Sequence, residues 1–174
     1  MRVLDLFSGI GGFSLGLERA GMTTVAFCEI DPIARRILKK HWPETPICSD
    51  VRTLKGTEYG AIDVVCGGFP CTDISRAGKM AGLAGERSGL WGEMRRIIGE
   101  AGPRFVLIEN VARLCADGLD TVLADLDALG FDAEWATLRA SDFGAPHNRE
   151  RVYIVAYPQG EHGQTRDRMD AGGE

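Results

Sequence analysis

Four side chains of this sequence could work together on a flat, electron-poor ring: Cys71, Glu109, Arg149 and Arg151. Cys71 lies in GGFPCTDIS (67–75), between a proline and polar loop residues. A thiolate there could attack a ring carbon. Glu109 begins Glu-Asn-Val (109–111) at the end of an apolar run, where a carboxyl could protonate a ring nitrogen that gathers charge. Arg149 and Arg151 alternate along an extended segment and could help hold such a ring. Each has a plainer alternative: an inert loop thiol, a helix-capping glutamate, exposed charges at a strand start. Their shared position at strand ends is a stronger argument than any one of them.

Strands alternating with helices would position these groups. RVLDLF (2–7), TVAFCE (24–29), PICSD, IDVVCG (62–67) and RFVLIEN (104–110) read as strands. FSLGLERAG reads as a helix closed by Gly21. Asp31-Pro32 opens a second helix that runs to about His41, by the logic of an N-cap followed by proline. LWGEMRRIIGEAG and GLDTVLADLDALG (118–130) have apolar residues at helical spacing. AEWATL and RVYIVAY form two last strands, joined by a polar loop. The fold class expected is α/β and Rossmann-like: a mostly parallel sheet, helices on both faces and an antiparallel hairpin near the C-terminal end. Ligands on such sheets bind at the carboxyl ends of the strands. Asp5–Gly12, Glu29, Asp50, Phe69–Cys71 and Glu109 all fall there.

The 174 residues, 44% hydrophobic and 26% charged, suit one soluble domain with a real core. Residues 1–157 form the expected catalytic domain, and 158–174 a polar tail or linker. A long polar loop is expected at roughly 70–88. No apolar run is long enough to cross a bilayer, so no membrane partner is expected. Five cysteines without a CxxC pair predict no metal site and a reducing, cytoplasmic compartment. Four of them sit in or beside apolar segments and are expected to be buried. A net charge of −5 argues mildly against strong autonomous DNA binding.

The glycine turn in DLFSGIGG (Ser8, Gly9, Ile10, Gly12) lets backbone approach a ligand in front of a helix N-terminus. Glu29, 18 residues after Gly11, stands where an acidic residue bonds ribose hydroxyls. Together they suggest an adenosine-containing cofactor. Asp50 could reach an adenine amino group, or could simply cap a turn.

Four blocks in this order, DLFSGIGG, GGFPCTDIS, ENV and HNRERVYIV, resemble the DNA cytosine-5 methyltransferases over about residues 1–157. His147 departs from the family's usual glutamine. The resemblance implies S-adenosylmethionine as cofactor and DNA as substrate. It makes Cys71 the nucleophile toward C6 of a flipped-out cytosine, Glu109 the group at N3, and one of Arg149 and Arg151 the contact to the base carbonyl. It further implies that Phe7 packs on the adenine between Ile30 and Val51, that Pro70 and Leu90 line the cofactor site, and that Ser75 and Arg87 touch DNA backbone. Family members are generally much longer, with a target-recognition domain and a closing segment after the arginine block. Neither is in this sequence, which leaves a half needing a second chain, a truncated product or a remnant. The intact Cys71, Glu109, Arg149 and Arg151 disfavour long decay. The resemblance also implies a prokaryotic or phage-encoded origin. A non-catalytic cofactor-binding half and an RNA methyltransferase remain alternatives. A nicotinamide dehydrogenase would leave Cys71, Glu109 and both arginines unexplained.

Overall fold

A computed structural model describes residues 1–70 and 89–160. Its strands are β1 (Arg2–Leu6), β2 (Thr23–Cys28), β3 (Ile47–Cys48), β4 (Val64–Gly67), β5 (Phe105–Val111), β6 (Phe131–Arg139) and β7 (Glu150–Pro158). They form one sheet in the order β3-β2-β1-β4-β5-β7-β6. Neighbours from β3 to β5 are parallel, and β7 runs antiparallel to both β5 and β6. The chain builds outward from β1 to β3, then restarts at β4 on the other side of β1. The cleft at that reversal, beyond the carboxyl ends of β1 and β4, is where such sheets hold ligands.

Four helices connect the strands among the described residues: α1 (Gly12–Arg19), α2 (Pro32–His41), α3 (Leu90–Ala101) and α4 (Leu119–Asp127). Asp31 caps α2 as expected, its Oδ1 accepting the Ile33 N–H at 2.7 Å, with Pro32 in the first turn. α3 stops at Gly102, whose φ of 54° is open to glycine at little cost.

The faces of the sheet differ. On one, Met94, Ile97 and Ile98 of α3 and Val122 and Leu126 of α4 are fully buried against Leu4, Leu6, Val65, Val106, Ile108 and Ile154. On the other, Phe13 and Leu17 of α1 pack over Val3, Val64 and Cys66. α2 lies beside α1, with Trp42 Nε1 donating to Glu18 Oε1 at 2.8 Å. This second face is only half covered over β5 and β7, where Phe105, Leu107 and Tyr153 are partly buried and Val155 is exposed. Helices thus lie on both faces, as expected, and on the second face their cover is fullest over the inner strands.

Three local departures have clear causes. β4 is two residues shorter than IDVVCG because Asp63 serves as a knot instead. Its carboxylate accepts the Arg2 N–H at 2.7 Å, and its carbonyl accepts the N–H groups of Arg104 and Phe105. β6 begins earlier than predicted, at Phe131 directly after Gly130, whose φ is 84°. Cys115 is exposed, against expectation, because its short 3-10 turn (Ala112–Cys115) buries only Leu114. Cys28 and Cys66 are buried free thiols.

Candidate active site

The carboxyl end of β1 is built around strained and glycine-dependent backbone. Phe7 has φ 53°, the one non-glycine residue in that region among those described. A bulky side chain is rarely held there without a local reason. Gly9 and Gly11 follow at φ 53° and 89°. A side chain at Gly11 would collide with the Trp42 ring at 2.6 Å, whereas the space at Gly9 is open for 4 Å. The turn is thus packed from behind and accessible in front.

Hydrogen bonds from two strands brace it. The Ser8 hydroxyl donates to the Asp5 carbonyl at 2.7 Å, and the Ser8 N–H donates to the Cys28 carbonyl at 3.1 Å. Glu29, at the end of β2, accepts the Gly9 N–H at 2.6 Å and the Asp31 N–H at 2.8 Å, one on each carboxylate oxygen. Beneath, the fully buried Asp5 takes the Ser14 hydroxyl at 2.6 Å on Oδ2, while its Oδ1 is buried without a partner. Burial pushes the Asp5 carboxyl up to about 7, against the lowering effect of the bond from Ser14.

Apolar groups frame the opening. Ile10 and Ile30 are 64% and 68% exposed, unusual for isoleucines beside a turn this ordered. Asp50 accepts the Arg52 N–H at 3.0 Å, so it does cap a turn. Val51 is buried in the core, and Leu90 opens α3 and packs partly buried against it.

The second half of the site lies beyond β4 and β5. Gly68, Phe69 and Pro70 lead out of β4. Asn110 fixes this exit, its Nδ2 donating to the Phe69 carbonyl at 2.9 Å. The Phe69 ring sits 5.1 Å from that of Trp91, and Trp91 Nε1 donates to the buried Asp125 at 2.8 Å. Gly68 permits a close approach: a methyl group there would lie 2.8 Å from Glu109 Oε2. Glu109 Oε1 in turn meets Arg151 Nε at 2.9 Å and Arg149 Nη2 at 3.8 Å.

This meeting follows from register. Val111 pairs with Arg151 and Glu109 with Tyr153, so side chains of Glu109, Tyr153 and Arg151 share one face of the sheet. That is the half-covered face, so Glu109 reaches solvent, with 24% of its side chain exposed. His147 Nδ1 accepts the Arg149 N–H at 3.4 Å, a weak brace where the family pattern has glutamine.

The structure therefore brings Phe7, Gly9, Ile10, Gly12, Glu29 and Ile30 together on one side of the cleft, and Pro70, Glu109, Arg149 and Arg151 on the other. Cys71, Ser75 and Arg87 lie outside the described residues. Sequence reading missed the Asp5–Ser14 pair, the packing of Gly68 against Glu109, and the Phe69–Trp91–Asp125 chain. The paired glycines before Phe69 were the available signal for the second. Nothing in the sequence pattern marked the others.

The chain is matched over residues 1–170 by the model of the C-5 cytosine-specific DNA methylases, and it belongs to that family. It is 38% identical over 164 residues to the type II methyltransferase M2.BsuMI of Bacillus subtilis, covering 90% of this chain and 42% of the relative. It is also 38% identical over 157 residues to M.CviJI of Paramecium bursaria Chlorella virus IL3A, with 89% and 42% covered. The chain thus spans less than half the length of these relatives. Among solved structures, a DNA modification methyltransferase encoded within an E. coli prophage superposes with a TM-score of 0.74 at 29% identity, over 91% of this chain and 47% of that one. Spodoptera frugiperda DNMT2, in a substituted form, shares the fold with a TM-score of 0.76 at 23% identity, over 92% and 50%. No helix of the described residues is long and apolar enough to cross a membrane.

Proposed function

We propose that this chain is the catalytic portion of an enzyme that methylates C5 of cytosine in DNA. The observation that carries this reading is the meeting of Glu109 with Gly68, next to the Phe69-Pro70 exit, on one side and with Arg151 on the other. A carboxyl paired with two guanidiniums adjoins the segment that continues into Cys71.

The turn fits S-adenosylmethionine. Gly9 is open to a ligand, Glu29 is aimed along the turn, and Ile10 and Ile30 offer apolar surfaces to a flat base. When bound, that cofactor supplies an electrophilic methyl group. The protein's own work is on the pyrimidine. The Cys71 thiolate adds to C6, electron density moves onto N3 and C5, and Glu109 donates a hydrogen bond or proton at N3. One of Arg149 and Arg151, both beside Glu109 Oε1, is the proposed contact to the base carbonyl. Once C5 carries its methyl group, a water molecule takes the C5 proton, expulsion of the thiolate restores the C5–C6 double bond, and N3 returns any proton it took to Glu109. The target carbon is closed off inside a duplex, so the cytosine has to flip out.

The half-covered face over β5 and β7 favours a further requirement. A segment of the same polypeptide or a second chain seats there and supplies contacts that select the DNA site, while a closing segment beside β1 finishes the cofactor pocket. The cytoplasm of a prokaryotic or phage-infected cell is the setting proposed.

Covalent trapping tests the reading. DNA of mixed sequence containing 5-fluorocytosine is mixed with the chain and S-adenosylmethionine. A band shift on a denaturing gel that disappears in Cys71→Ala is expected, either with the chain alone or after adding a recognition-domain chain. No shift under either condition, with cofactor binding intact, leaves a non-catalytic binding half. A shift with RNA and none with DNA would reassign the substrate.

A further inference from the structure

The cofactor reading above uses α3 only at its start, through Leu90, yet two polar side chains further along, Arg96 and Glu100, are committed to one segment. Arg96, in the middle of α3, donates through Nη2 to the carbonyls of Val51 and Leu54, both at 3.0 Å. Its Nη1 meets Glu100 at 2.7 Å and its Nε meets Glu93 at 2.9 Å. Glu100 uses its other oxygen to accept the Gly56 N–H at 2.7 Å. Those bonds hold the Glu100 carboxyl below its usual range and raise the Arg96 guanidinium, so both stay charged. Gly56 itself is pressed against the helix: a methyl group there would lie 2.7 Å from the Ile97 carbonyl and 2.9 Å from the Ala101 nitrogen.

Residues 50–56 are thus an irregular loop of which two carbonyls and one N–H are satisfied by a single helix. The loop begins with Asp50 and Val51, the pair assigned above to the adenine side. The same helix carries Trp91, which packs on Phe69 just before Pro70. We infer that Arg96 is a positioning residue for adenine recognition, setting the height of the Asp50–Val51 backbone from α3. A planar fork that spans two carbonyls and two carboxylates is needed for this, which a lysine cannot reproduce.

The test uses the full chain titrated by calorimetry with S-adenosylhomocysteine and separately with adenosine. Arg96→Met is expected to weaken both ligands by the same factor, about tenfold, the worth of one charged hydrogen bond. Arg96→Lys falls between. Amide exchange across 50–56 is expected to speed up in Arg96→Met while that of β1 and β4 does not. Should Arg96→Met fail to fold, Glu100→Ala is the second probe, with faster exchange at Gly56 and roughly threefold weaker adenosine binding as the expected result. Wild-type affinity in a folded variant overturns the inference. So does a loss seen with S-adenosylhomocysteine and absent with adenosine, which would place the effect at the other end of the ligand. If the wild-type chain binds neither ligand, the cofactor reading falls as well; if it binds and the variants match it, this inference alone falls.

Discussion

Leu107, Ile108 and Glu109 are consecutive on β5 and live in different environments. Ile108 points into the face covered by α3 and α4 and is fully buried. Leu107 and Glu109 point to the face that α1 covers only in part. One face of the sheet is a finished core, and the other is a core over β1 and β4 that turns into a working surface over β5 and β7. The charged groups collect where packing stops. A carboxylate and two guanidiniums under a full helix layer would carry a heavy desolvation cost, so the incomplete cover is what makes this arrangement tolerable.

The sharpest test of that contrast compares neighbours. Ile108→Ala is expected to cost about 3 kcal/mol in urea unfolding, as for a large-to-small change in a closed core. Leu107→Ala should cost only about 1 kcal/mol, in line with its partial burial. Equal losses would mean that both faces are equally closed. Next in size is Glu109→Gln, expected to lower methyl transfer at least hundredfold, about 2.7 kcal/mol of barrier, while unfolding changes by less than about 1 kcal/mol. A stability loss matching the activity loss would make Glu109 a structural ion pair and erase the division between faces.

A separate test, read per pH unit, concerns Asp5, which is buried like the closed face but serves the open one. Its carboxyl is raised in the folded state to about 7 from 3.8, chiefly by burial, with Ser14, Ser8 and Cys66 as the polar groups facing it. A raised carboxyl favours folding when protonated. That contribution is complete below about pH 4 and is lost as pH climbs toward 7, at up to about 1.4 kcal/mol per pH unit. Asp5→Asn should remove this slope, so the difference in unfolding free energy between wild type and variant should change steadily from pH 4.5 to 7. Parallel profiles would show that Asp5 does not titrate in this range.

The order of elements was readable because each signal was local. Asp31-Pro32 announced α2, Gly102 ended α3, and the unalternating RVLDLF announced a strand inside the sheet. The grouping of Glu29 with the glycine turn was readable for a related reason, since strand ends on one side of a parallel sheet converge. What stayed hidden depended on contacts between distant segments. The left-handed Phe7 carries no mark in its sequence, and the value of glycine at 68 appears only when Glu109 arrives from β5. Arg96 read as one more charge on an amphipathic helix, because the carbonyls it serves lie more than 40 positions earlier. The uneven cover was also invisible, because periodicity says that a face is apolar and not which element lies on it.

The pairing of Val111 with Arg151 and Glu109 with Tyr153 works as a ruler. It fixes the spacing between Glu109 and Arg151 through the ladder itself, with no measurement taken through the tip of the hairpin's connecting segment (141–146). That segment is consequently free to lengthen, shorten or be exchanged between relatives without retuning the charge cluster. The tolerance is quantised: a slip of one residue would turn both arginines through the sheet to the packed side, while any change confined to the tip leaves them where they are. Variation should accumulate at the tip and be nearly forbidden two residues further along the strand, a pattern that invites grafting of foreign loops there.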